Sequence, residues 1–482
     1  MKTVPVVAPP LLLIALLAGC MAGPDYRKPP VDMPVAWKIE APWRVGTPDD
    51  LAAKGAWWTR YNEPALDALE QQALSANLTL ATASARLAQA RATVASTSAA
   101  LFPQVNLGAR AARQKTSADR PLSNYASPNF STVQSDLVGS FSVNYEIDLA
   151  GRVRRTIEGA RASAEQSAAD FENTRLLVTA ELATDYFSLR ELDTEQDVVA
   201  RSIALQRRAL EFATSRHDLG ATSGLDVAQQ QALLDSTLTQ VDVLQKQRDQ
   251  FEHAIATLMG APAPAFALAP KVDERLPPAI PVGVPSDMLE RRPDVAAAER
   301  AMAAANAQIG IARAAFYPSI MLAPSYGVES TSLATLFNAP SLLWSLGVSL
   351  TQPIFDAGRL QANVDFARAG YDVTVANYRR VVLIAMQEAE DGITGLAALD
   401  RATAQSGRAI ESSRRVLDLA TSRYEGGVAT YLDVITAQQA LLANERLAAQ
   451  LAGQRLVTSV FLVKALGGGW DADGRLASRQ AH

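Results

Sequence analysis

The chain has 482 residues, 48% of them hydrophobic, and a net charge of −5. That length leaves room for several domains and a sizeable core, and the charge lacks the basic surplus that nucleic-acid binding needs. The three histidines, His217, His253 and His482, do not fall at metal-ligand spacing. No phosphate loop and no nucleophile with a base stands out, so neither a metal site nor catalysis is expected.

The N-terminus reads as a targeting segment. Val4 to Leu17 is apolar, but it is interrupted by Pro5, Pro9 and Pro10 and is too short to span a bilayer. It ends in Leu17-Ala18-Gly19-Cys20, and Cys20 is the only cysteine. A lone thiol cannot form an internal disulfide, so its use is chemical. The run resembles a bacterial lipobox, which implies removal of residues 1–19 and a covalent N-acyl and S-diacylglycerol lipid on Cys20. More than one acyl chain anchors a protein strongly. Met21 in place of an aspartate implies outer-membrane sorting by the rule known for such lipoproteins. Residues 20–62 are rich in proline and tryptophan and read as an extended arm.

A first repeat is expected over residues 63–260. Leu78 to Ala100 is alanine-rich and free of glycine and proline, a helix by propensity that Pro103 ends. A β-hairpin is predicted over 103–149. Its second strand alternates Leu137, Phe141, Val143, Tyr145 and Ile147 with Asp136, Ser140, Ser142, Asn144, Glu146 and Asp148. A long helical hairpin is predicted over 152–259. The span Arg152 to His217 has a single glycine and no proline, enough for a rod of roughly 100 Å. Val178, Leu182, Leu189, Leu192, Val199, Ile203 and Leu210 mark a heptad seam along it. Residues 261–285, rich in proline, form a connector.

The second half repeats this order over 286–470, with a hairpin at 318–355 and a helical hairpin at 359–466, before a tail at 471–482. The repeat is visible at the turns. The segment Arg216 to Val227 (RHDLGATSGLDV) returns as Arg423 to Val434 (RYEGGVATYLDV) with five of twelve positions identical. A duplication of this length implies two similar halves of one body.

Each half thus carries two strands of about ten residues, the length of a tilted transmembrane strand. A soluble sheet with one wet face would show the same alternation; the lipobox favours a membrane barrel. Four strands cannot close a barrel, and an open edge in lipid leaves backbone groups unpaired. The barrel must be shared. Two chains give eight strands and a filled interior, and three give twelve and a lumen. The polar inner face favours three.

Several segments together carry a family resemblance. They are Gly23-Pro24-Asp25-Tyr26-Arg27-Lys28-Pro29, Glu290-Arg291-Arg292-Pro293-Asp294-Val295, Ala314-Ala315-Phe316-Tyr317-Pro318-Ser319, Tyr431-Leu432-Asp433-Val434, and Lys464 to Trp470. Over residues 20–470 the chain resembles the TolC-like outer-membrane exit ducts, in their NodT-type lipoprotein branch. The resemblance implies a mixed α and β fold: a homotrimer with a shared twelve-stranded outer-membrane barrel and a twelve-helix periplasmic barrel. It further implies a passive exit duct of a tripartite efflux pump in a Gram-negative bacterium. The duct would work with a periplasmic adaptor and an inner-membrane transporter, often of the resistance-nodulation-division type. The turns would be periplasmic tips, with Arg216, Gly220, Ser223, Arg423, Gly427 and Thr430 at the adaptor. The pore aperture would involve Leu432 and, four residues on, Thr436, where relatives carry an aspartate. Asp433 and its repeat mate Asp226 are the nearby carboxylates; a ring of them attracts cations, although both could equally cap their helices. A protein-secretion duct and a pore-free periplasmic coiled-coil lipoprotein are the competing readings.

Overall fold

The computed structural model describes residues 21–29, 55–119, 131–273, 275–280 and 291–468. The lipobox, Cys20 and the tail from 469 onward lie outside these residues. The elements in chain order are α1 (Pro64–Ala76), α2 (Leu78–Ser98), β1 (Gln104–Thr116), β2 (Thr132–Ile147), α3 (Arg152–Asp218), α4 (Gly224–Leu258), α5 (Pro293–Ala314), β3 (Ser319–Leu322), β4 (Ser325–Ser330), β5 (Leu342–Ser345), β6 (Val348–Thr351), α6 (Arg359–Glu425) and α7 (Tyr431–Ala465). The helical hairpins match in length: 67 and 35 residues in the first half, 67 and 35 in the second. Within the arm, Trp57–Tyr61 forms a 3-10 turn rather than an extended stretch.

The chain divides into two compact units. The first takes in residues 87–166 and 298–378 with the stretch before Pro30, and it holds the sheet. β1 pairs antiparallel with β2, β2 with β4 and β3, and these with β5 and β6. The second hairpin differs from its expected two unbroken strands. It is four short pieces, interrupted at Ala323-Pro324 and opposite them at Leu346-Gly347. Proline has no N–H to give the ladder, so Pro324 opens a gap. The register does not slip across it, because Pro324 still accepts from the Val143 N–H at 2.9 Å and Gly347 from the Ala323 N–H at 2.9 Å.

That register assembles one apolar face from every strand. Leu107 lies opposite Phe141, Phe141 opposite Tyr326, and Tyr326 opposite Trp344, while Ile147, Ile320 and Leu350 line up below them. The other face carries Asn106, Arg110, Asp136, Ser142, Asn144, Ser325 and Ser345, with an Arg110–Asp136 ion pair and a Ser325–Ser345 hydrogen bond of 2.8 Å. The apolar face is uncovered: Leu107 is 71% exposed, Trp344 69% and Leu350 64%. A continuous surface of this kind is costly in water. Among the described residues β1 has one partner strand, and so do β5 and β6, so both sheet edges are open.

The second unit, residues 55–86, 167–297 and 379–468 of those described, is helical. The heptad seam is buried as its spacing requires: Val178, Leu182, Leu189, Leu192, Val199 and Ile203 are all in the core, and Leu210 packs against it. Trp57, Trp58, Tyr61, Tyr186 and Phe187 form an aromatic cluster. The connector is tied down by charge. Buried Asp193 binds Arg190 and Arg248, each at 2.7 Å, and accepts the Lys271 N–H at 3.0 Å. No described helix is long and apolar enough to cross a membrane.

Candidate functional site

The two helical turns, both in the helical unit, are built alike. α3 ends when Gly220 enters the left-handed region at φ 72°, and α6 ends when Gly427 does the same at φ 72°. Each glycine N–H returns to a carbonyl three residues back, and the next N–H to one five back: Ala221 to Arg216 at 2.8 Å, Val428 to Arg423 at 3.0 Å. This glycine-centred closure satisfies the last helical carbonyls. A Cβ at either glycine would meet nothing within 4 Å, so only the backbone conformation demands glycine there.

The helix starts that follow are capped differently. Ser223 accepts from the Leu225 N–H at 3.1 Å to open α4. Thr430 and Asp433 form a reciprocal capping box at the start of α7, in which the Asp433 carboxylate accepts from the Thr430 N–H and hydroxyl, each at 3.1 Å. That arrangement satisfies two otherwise free donors. Asp226, the repeat mate of Asp433, turns elsewhere. Its carboxylate accepts from the Thr222 hydroxyl and, at 3.1 Å, from the Tyr424 hydroxyl. Tyr424 also lies 3.0 Å from the Thr222 hydroxyl. It belongs to α6, so this triad ties the second hairpin to the first.

A small core supports the tie. Ala213, Leu233, Tyr424, Tyr431, Val434 and Ile435 are buried together, and the rings of Tyr424 and Tyr431 lie 4.8 Å apart. The Tyr431 hydroxyl donates to Gln230 at 2.8 Å, and Gln230 donates to the Gln206 carbonyl at 3.1 Å. Burial, with Tyr424 and Asp226 adding to it, pushes the Tyr431 phenol up to about 12, so it stays a neutral donor. The Arg216 guanidinium stacks 5.1 Å from the Tyr424 ring centroid, within cation–π reach.

The residues proposed from sequence therefore fall into groups. Arg216 and Asp226 meet through Tyr424, a residue outside the proposed set; Thr430 and Asp433 pair with each other; Gly220 and Gly427 shape the turns. Leu432 is 54% exposed. The Thr436 hydroxyl donates to the Leu432 carbonyl at 2.8 Å. Arg423, Gly427 and Thr430 are exposed, as are Gly220 and Ser223, while Arg216 is half-buried. Sequence reasoning missed Tyr424, Thr222 and Gln230. Only Tyr424 left a trace, as a tyrosine at the repeat position where the first half has His217.

Residues 69–261 and 284–468 match the outer membrane efflux protein family. The chain belongs to that family. It is 33% identical over 470 residues to the pyoverdine export outer membrane protein OpmQ of Pseudomonas aeruginosa, covering 96% of this chain and 97% of that one. It is 34% identical to the outer membrane protein OprJ of the same organism, over 96% of each chain, and 32% identical to the toluene efflux pump outer membrane protein TtgF of Pseudomonas putida, again over 96% of each. The solved outer-membrane channel OprN superposes with a TM-score of 0.86 at 29% identity, covering 94% of this chain and all of that one. These relatives are transport proteins, not enzymes. The protein is an outer-membrane efflux component, the exit duct of a tripartite pump, and the paired turns are one end of its helical hairpins.

Proposed function

We propose that three copies of this chain close one duct. The observation that carries the proposal is the sheet: two long strands and four short ones that fill two further lanes, four antiparallel lanes in all, with both edges open, one polar face and one uncovered apolar face. In lipid each edge must find a partner. Three copies supply twelve strands and a water-filled lumen lined by the polar face, whereas two would leave an interior filled by side chains. The helical hairpins of the three copies form the periplasmic barrel, consistent with the family. Lipid on Cys20 anchors the assembly in the outer membrane.

The paired turns act as the closed end and the adaptor contact. Leu432 and Thr436 form the aperture rings. Thr436 brings no charge, so the nearest carboxylates are those of Asp433 and Asp226. The Asp226–Tyr424–Thr222 triad is a latch: widening the aperture by moving one hairpin against the other breaks it. Arg216, Gly220, Ser223, Arg423, Gly427 and Thr430 meet the adaptor, which couples the duct to an inner-membrane transporter of the resistance-nodulation-division type. The cargo is a small toxic compound, in keeping with relatives named for toluene efflux. The duct is passive; energy enters at the transporter.

Planar-bilayer recording of the detergent-extracted protein, with its oligomeric mass measured alongside, tests this. A trimeric mass with small, rare openings is expected. A monomeric mass without conductance would leave a lipid-anchored scaffold.

A further inference from the structure

The sheet ends, away from the helices, in two connections of opposite chemistry. β1 leaves it through Arg113, Lys115 and Asp119, all charged and all exposed. The connection from β4 to β5, residues 331–341, has no charge. From Ser330 to Phe355 the chain contains no acidic residue, basic residue or histidine. Yet its two largest side chains are uncovered: Leu333 is 74% exposed and Phe337 85%.

This loop is closed on itself by its polar groups. The Ser330 hydroxyl lies 2.7 Å from that of Thr335, and the Ser341 hydroxyl donates to the Thr335 carbonyl at 2.8 Å. Ser330 Oγ also accepts the Ser332 N–H at 3.2 Å, and Ser332 Oγ the Ala334 N–H at 3.3 Å. The Asn338 N–H returns to the Thr335 carbonyl at 3.0 Å, and the Ser341 N–H to the Asn338 carbonyl at 2.9 Å. Short hydroxyl side chains here serve the loop's own backbone, and the surface left outside is apolar. Register fixes the side on which it stands. Side chains alternate along a strand, so Tyr326, Val328 and Ser330 share one face of β4, opposite Phe141, Gly139 and Leu137. That is the apolar face. The Ser330 hydroxyl that holds Thr335 therefore draws the loop towards that face and away from the polar one.

We propose that the β4–β5 loop docks in the bilayer, with Leu333 and Phe337 among the acyl chains that border the sheet, while Lys115 and Asp119 stay in water. A loop can enter lipid only if its backbone is satisfied internally, and this one carries that satisfaction in its hydroxyls. Binding to an anionic headgroup would call for a cation, which the loop lacks; acyl chains ask only for apolar contact. Tyrosine and tryptophan favour the boundary between lipid and water, and Tyr326 and Trp344 stand opposite each other on the same face, next along from the loop. This docking presupposes that the apolar face of the sheet lies in lipid, as proposed above, and adds that one connection follows it there and the other does not.

The test uses the full-length protein in phosphatidylethanolamine–phosphatidylglycerol vesicles, with introduced cysteines labelled by bimane. The wild type, labelled alongside, gives the background from Cys20. L350C reports on the apolar face, F337C and L333C on the β4–β5 loop, and D119C on the other connection. All four side chains are exposed, so none of these variants opens the core. Bimane at L350C, F337C and L333C should be blue-shifted and lose its emission to nitroxide lipid doped into the vesicles. At D119C it should lose emission to iodide, added on both sides of the membrane, instead. If L350C is quenched by lipid but the loop labels are quenched by iodide, the docking is overturned and the lipid-facing sheet stands. Loop labels shielded from both quenchers would overturn it too, and would mean that protein covers the loop. An L350C label untouched by nitroxide lipid would overturn the lipid-facing sheet, and the docking with it.

Discussion

At the first turn Asp226 offers its carboxylate to Tyr424 of the other hairpin, whereas at the second turn Asp433, its repeat mate, turns back onto its own helix start. The two turns have the same glycine geometry, the same carbonyl closure and helices of equal length on either side. They diverge at His217 and Tyr424. His217 faces the Thr222 carbonyl at 3.1 Å within its own turn, while Tyr424 reaches across to Thr222 and Asp226. Matching backbone geometry thus sets up two equivalent ends, and a tyrosine at one where the other has a histidine makes a fastening. The first turn receives the latch and the second supplies it.

The largest effect should come from cutting the latch. A hydrogen bond to a carboxylate is worth roughly 1.5–3 kcal/mol, and three copies acting on one aperture would sum to several kcal/mol. Y424F and D226A should each raise the open fraction in single-channel recordings by about 1000-fold or more, since about 1.4 kcal/mol is tenfold. H217F, at the mate of Tyr424, should leave the open fraction unchanged. An equal effect at both positions would break the comparison.

A second substitution separates stability from gating. Glu70, on α1, is wholly buried, and neither carboxylate oxygen has a hydrogen-bond partner among the described residues. Burial, with Asp67 adding to it, pushes its carboxyl up to about 9 from an ordinary 4.5. The folded state therefore holds a proton that the unfolded chain gives up above about pH 4.5. Its stabilising effect is complete below pH 4.5 and is lost as pH rises towards 9. E70Q should remove that slope and raise stability at pH 8 by a few kcal/mol, measured as the denaturation midpoint at pH 5 and pH 8. Conductance should not change.

Smaller effects test the equivalence of the turns. G220A and G427A should each cost about 1–2 kcal/mol, the penalty for a Cβ in the left-handed region, because no neighbour crowds either site. If either variant loses drug efflux in cells far beyond this shared stability cost, that turn touches the adaptor. The smallest effect is expected of D433N. Asparagine preserves the capping acceptor and removes the charge, so cation preference should fall modestly in bilayer recordings. Unchanged selectivity would leave Asp433 with its capping role alone.

Much of the architecture was legible because it is periodic. Alternation located the apolar face of the sheet, and the spacing from Val178 to Ile203 located the buried seam. Similar turn sequences pointed to two helical hairpins, and helices of matching length flank both turns. The break in the second hairpin was less visible, since the alternation from Ile320 to Leu350 continues straight through Pro324. The latch was not legible. Asp226 and Tyr424 are 198 positions apart, and only the packing of α6 against α4 brings them together. Asp226 was singled out for its charge, but its hydrogen-bond partners depend on tertiary contact.

Single-channel recording of Y424F beside wild type tests most directly whether the Tyr424–Asp226 contact fastens a gated duct. A trimer is expected whose brief, rare openings become frequent when this hydroxyl is lost, with the folded mass unchanged. A folded Y424F trimer with wild-type openings would contradict it.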